Sequence, residues 1–306
     1  MIMKAARITQ YGGPDVIRLE DVPTPSPDAG QVLLKVAATS FNPADIGDRS
    51  GAYRRVRLPF VIGFDVAGTV HAVGPGVTAF SPGDTLIARL DGGGASAEYA
   101  VADAGLVARA PATIPLTDAA AIPLAGLTAW QAIHEHARLS KGQRILINGA
   151  GGGVGGYAIQ LATHAGAYVI ATASARSADE VRAHGADEVI DYTTTPVADA
   201  LSQDVDVLLN LVPLSHEDGR SLAGLVREGG RIVSITSEIE VSPASGVTSL
   251  RFVAQNEPKH LDELVKLVDS GDLTIDISER LPLSELADVH RRSERGDIRG
   301  KVILIP

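Results

Sequence analysis

The chain has 306 residues, 45% of them hydrophobic, and carries a formal net charge of −10 with no cysteine. That length is about two domains' worth of chain, and the acidic balance without a basic stripe argues against a nucleic-acid backbone or an anionic membrane as partner, leaving small molecules. The missing cysteines remove disulfides, thiolate zinc sites and thiol nucleophiles together.

The first residues, "MIMKAARITQ", lack the charged-then-apolar plan of a secretory signal, so the expected compartment is the cytoplasm. Up to about residue 120, short β-branched runs ("QVLLKVAA", "GFDVAGTVHAV", "DTLIARL", "AEYAVA") alternate with Pro, Gly and Asp punctuation, the pattern of an antiparallel barrel or sandwich. The most apolar stretch, 119–133, is broken by Pro123, Gly126, Thr128 and Gln131 and is too short to cross a membrane. From Ile145 to about Ala254 the grammar changes. The runs "RILINGA", "AYVIATA", "DEVIDY", "VDVLLNLV" and "GRIVSIT" alternate with helical patterns, as in βαβ units with a parallel sheet, and "SLRFVA" follows as a sixth strand. A helix over about 258–270 precedes the short strands of "LTIDISERLPLSE" and "RGKVILIP", which are expected to rejoin the first domain. The expected division is 1–123 plus 272–306 around an inserted unit at 124–271.

The segment "NGAGGGVGGYAIQLA", 148–162, follows a buried strand and closes as an apolar helix. A strand feeding a helix through glycines brings backbone close to a ligand, and the free N–H groups at the helix start favour an anion such as a pyrophosphate. The frame is Ala150-x-Gly152-x-x-Gly155: a tight turn at Ala150, close approach at Gly152 and Gly153 beside Val154, and close helix-to-sheet packing at Gly155. A glycine-rich turn can also simply cap a helix, but here the strand precedes, the helix follows and the next strand arrives on schedule. At the end of that second strand, where Asp or Glu would hold a free ribose 2′-hydroxyl, stand Ser174 and Arg176, a hydroxyl and a guanidinium suited to a 2′-phosphate. The expected cofactor is therefore NADPH. The alternative has Ser174 capping the next helix and Arg176 in solvent, with Asp179 and Glu180 complementing the dipole.

Together with the glycine turn, "FNPAD" (41–45), "GFDVAG" (63–68), "GLTAW" (126–130), "GADEVIDY" (185–192) and "RGKVIL" (299–304) occur in an order that resembles the zinc-independent, zeta-crystallin-like quinone oxidoreductase branch of the medium-chain dehydrogenase/reductase superfamily. The resemblance spans nearly the whole chain. It implies an α/β fold in which a doubly wound Rossmann sheet is inserted in a GroES-like β-barrel substrate domain, with a cleft where cofactor and substrate meet. It also implies that Asn42 stands where zinc-containing relatives have their first ligand cysteine, Phe64 where they have histidine, and Leu124 near their second cysteine. The lobe loop that holds structural zinc in those relatives is shortened here to "RLDGGGASAEY". A replacement site on His134 and His136 is not expected, because helical positions two apart face different ways, and both are expected at the solvated surface.

With no Lewis acid expected, the substrate must bring its own electron sink, as a quinone or an α,β-unsaturated carbonyl does. By the resemblance, Asn42 lies beside the nicotinamide and the substrate oxygen; the other reading makes it a turn residue bonding its own backbone. Tyr53, in "GAYRR", is a candidate proton donor or simply a packed loop residue, and water is a further source. Relatives often carry a lysine shortly after the Asn-Pro-x-Asp motif, where this chain has Gly47, so no lysine role is expected there. Asp45 and Asp65 look like a carboxylate pair but are read as structural. On the Rossmann side the resemblance places Thr128 beside the cofactor and Tyr192 near the adenine and 2′-phosphate, while backbone around Val212 and Ile235, at strand ends, is expected to line the nicotinamide. An enoyl-thioester reductase and a non-catalytic NADPH-binding protein are the rival readings. A homodimer joined at sheet edges near the sixth strand is the expected assembly, and loops 47–58 and 240–248 are candidate covers for the ligand.

Overall fold

The computed structural model describes residues 1–53, 56–201 and 203–306, and these form two compact units. Unit 1 comprises Met1–Ala125, Asn256–Gly271 and Ile277–Pro306; unit 2 comprises Gly126–Gln255 and Asp272–Asp276.

Unit 1 begins with β1 (Ile2–Ile8), β2 (Arg18–Pro23) and β3 (Gln31–Ser40), then helix α1 (Pro43–Ser50). It continues through β4 (Phe60–Val61), β5 (Asp65–Val73), β6 (Thr85–Arg89), β7 (Tyr99–Asp103) and β8 (Val107–Arg109) to the short α2 (Leu116–Ala119). The boundary with unit 2 falls inside α3 (Pro123–Trp130). Unit 2 alternates β9 (Arg144–Asn148), α4 (Gly153–His164), β10 (Tyr168–Ala173), α5 (Ala178–Ala183), β11 (Glu188–Asp191) and α6 (Val197–Ala200). It ends with β12 (Val205–Asn210), α7 (His216–Ala223), β13 (Val226–Ser234) and β14 (Thr248–Arg251). The chain then returns to unit 1 with α8 (Pro258–Ser270), β15 (Ile277–Pro282), α9 (Leu286–Glu294) and β16 (Lys301–Ile305).

In unit 1, β3 is the hub: it pairs antiparallel with β5, β7 and β16 at different parts of its length. Val32, Leu34 and Val36 share one face of it and pack with Val66, Val70, Leu86 and Ala88 in one core. Two register shifts in the β3–β5 pairing, at Leu33/Leu34 and Val36/Ala38, let the ribbon bend as a barrel requires. The same register sets Ser40 opposite Asp65, while β16 sets Ile303 opposite Ser40. Three distant parts of the sequence thereby meet at one end of the barrel.

Unit 2 is a six-stranded parallel sheet in the order β11-β10-β9-β12-β13-β14. Ile145, Leu146 and Ile147 of the central β9 are fully buried, as expected of a strand covered on both faces. The order reverses between β9 and β12, and in such sheets ligands bind outside the carboxyl ends of the strands at that point.

The expected domain limits differ from the observed units in two places. Helix α8, which the sequence division leaves in the inserted unit, buries Leu261, Leu264 and Val268 and packs on β8. Asp269 at its end also accepts bonds from the Ala112 and Thr113 N–H groups at 2.9 and 3.0 Å, which fixes it to unit 1. Conversely, residues 272–276 join unit 2, where Gln160 of α4 exchanges bonds with the Thr274 backbone at 2.8 and 3.0 Å.

Candidate functional site

In unit 2, β9 leaves the sheet at Gly149, whose φ of +87° only glycine adopts without strain. The tight turn is thus one residue before the Ala150 that the sequence frame assigns, and a Cβ at Gly149 would also overlap Val212. At Gly155 a Cβ would overlap the Ala150 carbonyl, so this glycine serves the expected close packing of α4 on the turn. At Gly151 it would overlap the Ser177 hydroxyl. Gly152 differs: it is exposed, it is the N-cap of α4, and a Cβ there would meet only the Gly149 carbonyl oxygen, at 3.7 Å. Open space therefore lies over the first turn of a helix whose leading N–H groups, those of Gly153 and Val154, have no intrahelical acceptor. These residues fit a dinucleotide pyrophosphate.

A buried polar ladder supports the turn. The Gly149 N–H donates to Thr172 Oγ1 (2.8 Å), Thr172 donates to Asn148 Oδ1 (2.9 Å), and Asn148 donates to Asn210 Oδ1 (2.9 Å). Asn210 Nδ2 in turn donates to the Val212 carbonyl (2.8 Å) and lies 3.1 Å from Ser234 Oγ. Four adjacent strand ends are tied together in this way, which holds the ligand-facing edge in one geometry. It also turns main-chain groups inward: the Val212 carbonyl accepts from both Asn210 and Thr236 (2.6 Å), and the Ile235 N–H donates to the Asn210 carbonyl (3.1 Å). The expected lining by Val212 and Ile235 is narrowed accordingly to groups other than these two.

The remaining cofactor candidates of unit 2 lie at strand and helix ends. Ser174 is half-buried and Arg176 exposed in the turn after β10. The N-cap of α5 is Ser177, so Ser174 does not cap that helix. Tyr192 is 55% exposed just beyond β11, and Thr128 is buried in α3. The two histidines keep part of the solvent exposure expected of them. Both are half-buried beside aromatic rings, His134 with its ring centroid 4.3 Å from Trp130 and His136 4.2 Å from Phe252.

In unit 1 the candidates gather where β3, β5 and β16 meet. Asn42 is the N-cap of α1, Pro43 supplies the first helical residue, and Asp45 reaches back to accept the Asn42 N–H at 2.8 Å. The Asn42 side chain is neither free nor bonded merely to its own turn. Its Nδ2 donates to Asp65 Oδ2 (2.8 Å) and the Ser40 carbonyl (3.3 Å), and its Oδ1 accepts from Lys301 Nζ (2.7 Å). Both amide hydrogens have protein partners, so a donation from Asn42 to a substrate oxygen would draw on the longer of these bonds, the one to the Ser40 carbonyl at 3.3 Å. Asp65 also accepts from Ser40 (2.6 Å) and from the Leu124 N–H (2.8 Å). Asp45 and Asp65 thus hold loops, as the sequence suggests. Burial above all, with the Asp65 charge adding to it, pushes the Asp45 carboxyl up to about 8. Burial also pulls the Lys301 ammonium down, against the upward pull of Asp65 and Asp45.

Tyr53 is 52% exposed in the loop after α1. The candidate cover 47–58 is not all loop: residues 47–50 form the last turn of α1, and 54 and 55 lie outside the described residues. The other, 240–248, contains a single 3-10 turn, Pro243–Ser245, capped by Ser242.

The three residues that the resemblance sets at zinc-ligand positions do not fit a metal. Phe64 and Leu124 offer no side-chain donor, and the Asn42 oxygen is held by an ammonium. Among the described residues no group of three or more His, Asp or Glu could hold a metal ion. Lys301, Thr172, Asn148 and Asn210 escaped the sequence reading. For Lys301 the available signal was a lysine at the head of the apolar C-terminal run "KVILI", where solvation is costly.

Comparison with known proteins matches residues 28–112 to the alcohol dehydrogenase GroES-like domain and residues 184–304 to a zinc-binding dehydrogenase domain. The chain is 35% identical to the chloroplast envelope quinone oxidoreductase homolog of Arabidopsis thaliana over 331 residues, covering 100% of this chain and 99% of that protein. It is 34% identical to the NADPH-dependent alkenal/one oxidoreductase, chloroplastic, of the same plant, covering 99% of this chain and 80% of that one. Among solved structures, the quinone oxidoreductase from Coxiella burnetii superposes with a TM-score of 0.93 at 33% identity, with both chains fully covered. A GroES-like unit built from both chain ends, a Rossmann unit between them and end-to-end likeness at this level place the chain in the quinone oxidoreductase branch of the medium-chain dehydrogenase/reductase superfamily.

Proposed function

We infer that the protein is an NADPH-dependent oxidoreductase that reduces quinones and α,β-unsaturated carbonyl compounds by two electrons without zinc. The observation that carries this reading is the open space at Gly152, over the leading N–H groups of α4, with Ser174 and Arg176 rather than a carboxylate at the end of the next strand. NADPH, when bound, supplies the hydride. The glycine turn and the first turn of α4 hold the pyrophosphate, Arg176 pairs with the 2′-phosphate, and Tyr192 and Thr128 complete the binding surface of unit 2. Unit 1 contributes Asn42 and Tyr53 to the acceptor, with Tyr53 or water delivering the proton.

Zinc independence is supported by the donor chemistry at residues 42, 64 and 124. An acceptor whose conjugation already spreads incoming charge onto oxygen needs hydrogen-bond donors rather than a Lewis acid. The exposed Leu250 and Val253 at the β14 edge support a homodimer joined there. No helix among the described residues is long and apolar enough to cross a membrane.

The test is NADPH consumption, followed by its near-ultraviolet absorbance, with a panel of 1,4-benzoquinones, ortho-quinones and alkenones. Saturable oxidation that survives prior EDTA treatment is expected. No consumption across the panel would leave a cofactor binder without turnover, and loss of activity on chelation restored by zinc would overturn the metal-free reading.

A further inference from the structure

We propose that Lys301 is a positioning residue for the reduction, fixing the loop 41–42 and the orientation of the Asn42 carboxamide from the far end of the sequence. The proposal rests on the assignment of Asn42 to the acceptor-binding surface.

Lys301 is 3% exposed at the start of β16 and Asp65 is fully buried, so neither charge is solvated. A buried ion pair is a poor way to gain stability, since well-packed apolar residues of similar volume do as well or better. Its geometry here points to another task. The shortest bond of Lys301 goes to the Asn42 amide oxygen at 2.7 Å, the next to the Phe41 carbonyl at 3.2 Å, and the longest to its charge partner Asp65 at 3.4 Å. All three ammonium hydrogens are used, two of them on consecutive residues of one loop. The Phe41 N–H meanwhile donates to the Val302 carbonyl at 3.0 Å, so the loop is held to β16 by backbone as well.

The two charged groups also decide which way Asn42 points. An ammonium only donates and a carboxylate only accepts. Turning the carboxamide over would set Nδ2 against Lys301 and Oδ1 against Asp65, two repulsive contacts in place of two bonds at 2.7 and 2.8 Å. An amide torsion is otherwise broad and roughly two-fold. Apolar replacements would fill the space but would leave only the 3.3 Å bond to the Ser40 carbonyl to favour one orientation.

The experiment is a double-mutant cycle on Lys301→Met and Asn42→Ala in the full-length protein, read as kcat, KM for NADPH and KM for a benzoquinone. Lys301→Met is expected to lower kcat at least about tenfold while KM for NADPH changes by less than about twofold, because the dinucleotide cradle lies in unit 2. In the Asn42→Ala background the same change is expected to cost no more than about twofold, since Lys301 then has no amide to orient. Additive losses, or an unchanged kcat in a folded Lys301→Met protein, would overturn the proposal. If Lys301→Met fails to fold because Asp65 is left unpaired, the charge-balanced Lys301→Met/Asp65→Asn variant carries the same kcat measurement. Failure of both to give the native circular dichroism spectrum would assign Lys301 to holding the fold instead. If Asn42→Ala alone leaves kcat unchanged, the placement of Asn42 at the acceptor falls and the proposal with it, while quinone reduction by the wild type stands.

Discussion

Replacing Asp45 by Asn should make the protein more stable, by an amount that grows with pH. The carboxyl is 2% exposed, and Oδ1 has no hydrogen-bond partner among the described residues. Burial lifts its folded pKa from the usual 3.8 to about 8. A group held protonated in the folded state and ionised in the unfolded one makes folding take up a proton. Its contribution is undiminished below pH 3.8 and is lost as pH rises towards 8. At about 1.4 kcal/mol per pH unit, that interval sets an upper limit of about 6 kcal/mol at pH 8, comparable with the whole stability of many domains. Asparagine does not titrate, and its amide oxygen can still accept the Asn42 N–H that Asp45 now accepts at 2.8 Å. Urea unfolding from pH 5 to 9 should show the variant gaining steadily over the wild type, with the gap levelling off above about pH 8. Parallel pH profiles for the two proteins would refute the assignment of a protonated, desolvated acid at this position.

Three further outcomes follow from other sites. Gly155→Ala sets a methyl group against the Ala150 carbonyl, so it should cost about 1–3 kcal/mol and weaken NADPH binding at least about tenfold by calorimetric titration; unchanged affinity would refute the close packing of helix on turn. Arg176→Ala should raise KM for NADPH about 10- to 100-fold, the worth of a charge-assisted bond, while KM for NADH stays put; equal losses with both cofactors would count against a 2′-phosphate contact. His290 is buried, and burial first and the Arg49 guanidinium second hold its pKa down to about 3 against the usual 6.5. Stability should therefore fall by up to about 1.4 kcal/mol per unit as pH drops from 6.5 towards 3, and His290→Gln should flatten that limb in thermal unfolding; identical acid limbs would show that the imidazole is not kept neutral.

Patterns of period and spacing carried much of this architecture. Punctuated β-branched runs such as "QVLLKVAA" announced the antiparallel barrel strands, and the strand–helix alternation after Ile145 announced the parallel sheet, because both are local consequences of which faces are buried. The glycine turn was legible as a cradle but not in its frame: which glycine takes positive φ depends on the neighbouring Val212 loop, 63 residues later in the sequence. Helix α8 was legible as a helix, yet nothing in its amphipathic pattern says which unit its apolar face will cover. The same limit hid Lys301. A lysine in an apolar run signals a buried partner without naming it, and Asn42 and Asp65 become its neighbours only through the pairing of β16 and β5 with β3. His134 and His136 are less exposed than expected because angular spacing on a helix cannot foresee the Trp130 and Phe252 rings beside them.

The discontinuity of unit 1 sets an order of assembly during translation. Unit 2 is encoded almost without interruption between residues 126 and 255, so it can fold while the ribosome is still working. The barrel cannot: β3 waits for β16, and Asn42 stays unanchored until a lysine synthesised 259 positions later arrives. The early barrel strands must spend that interval with an unpaired edge, and a chaperone that shields them would be expected to matter more for this half of the protein than for its neighbour.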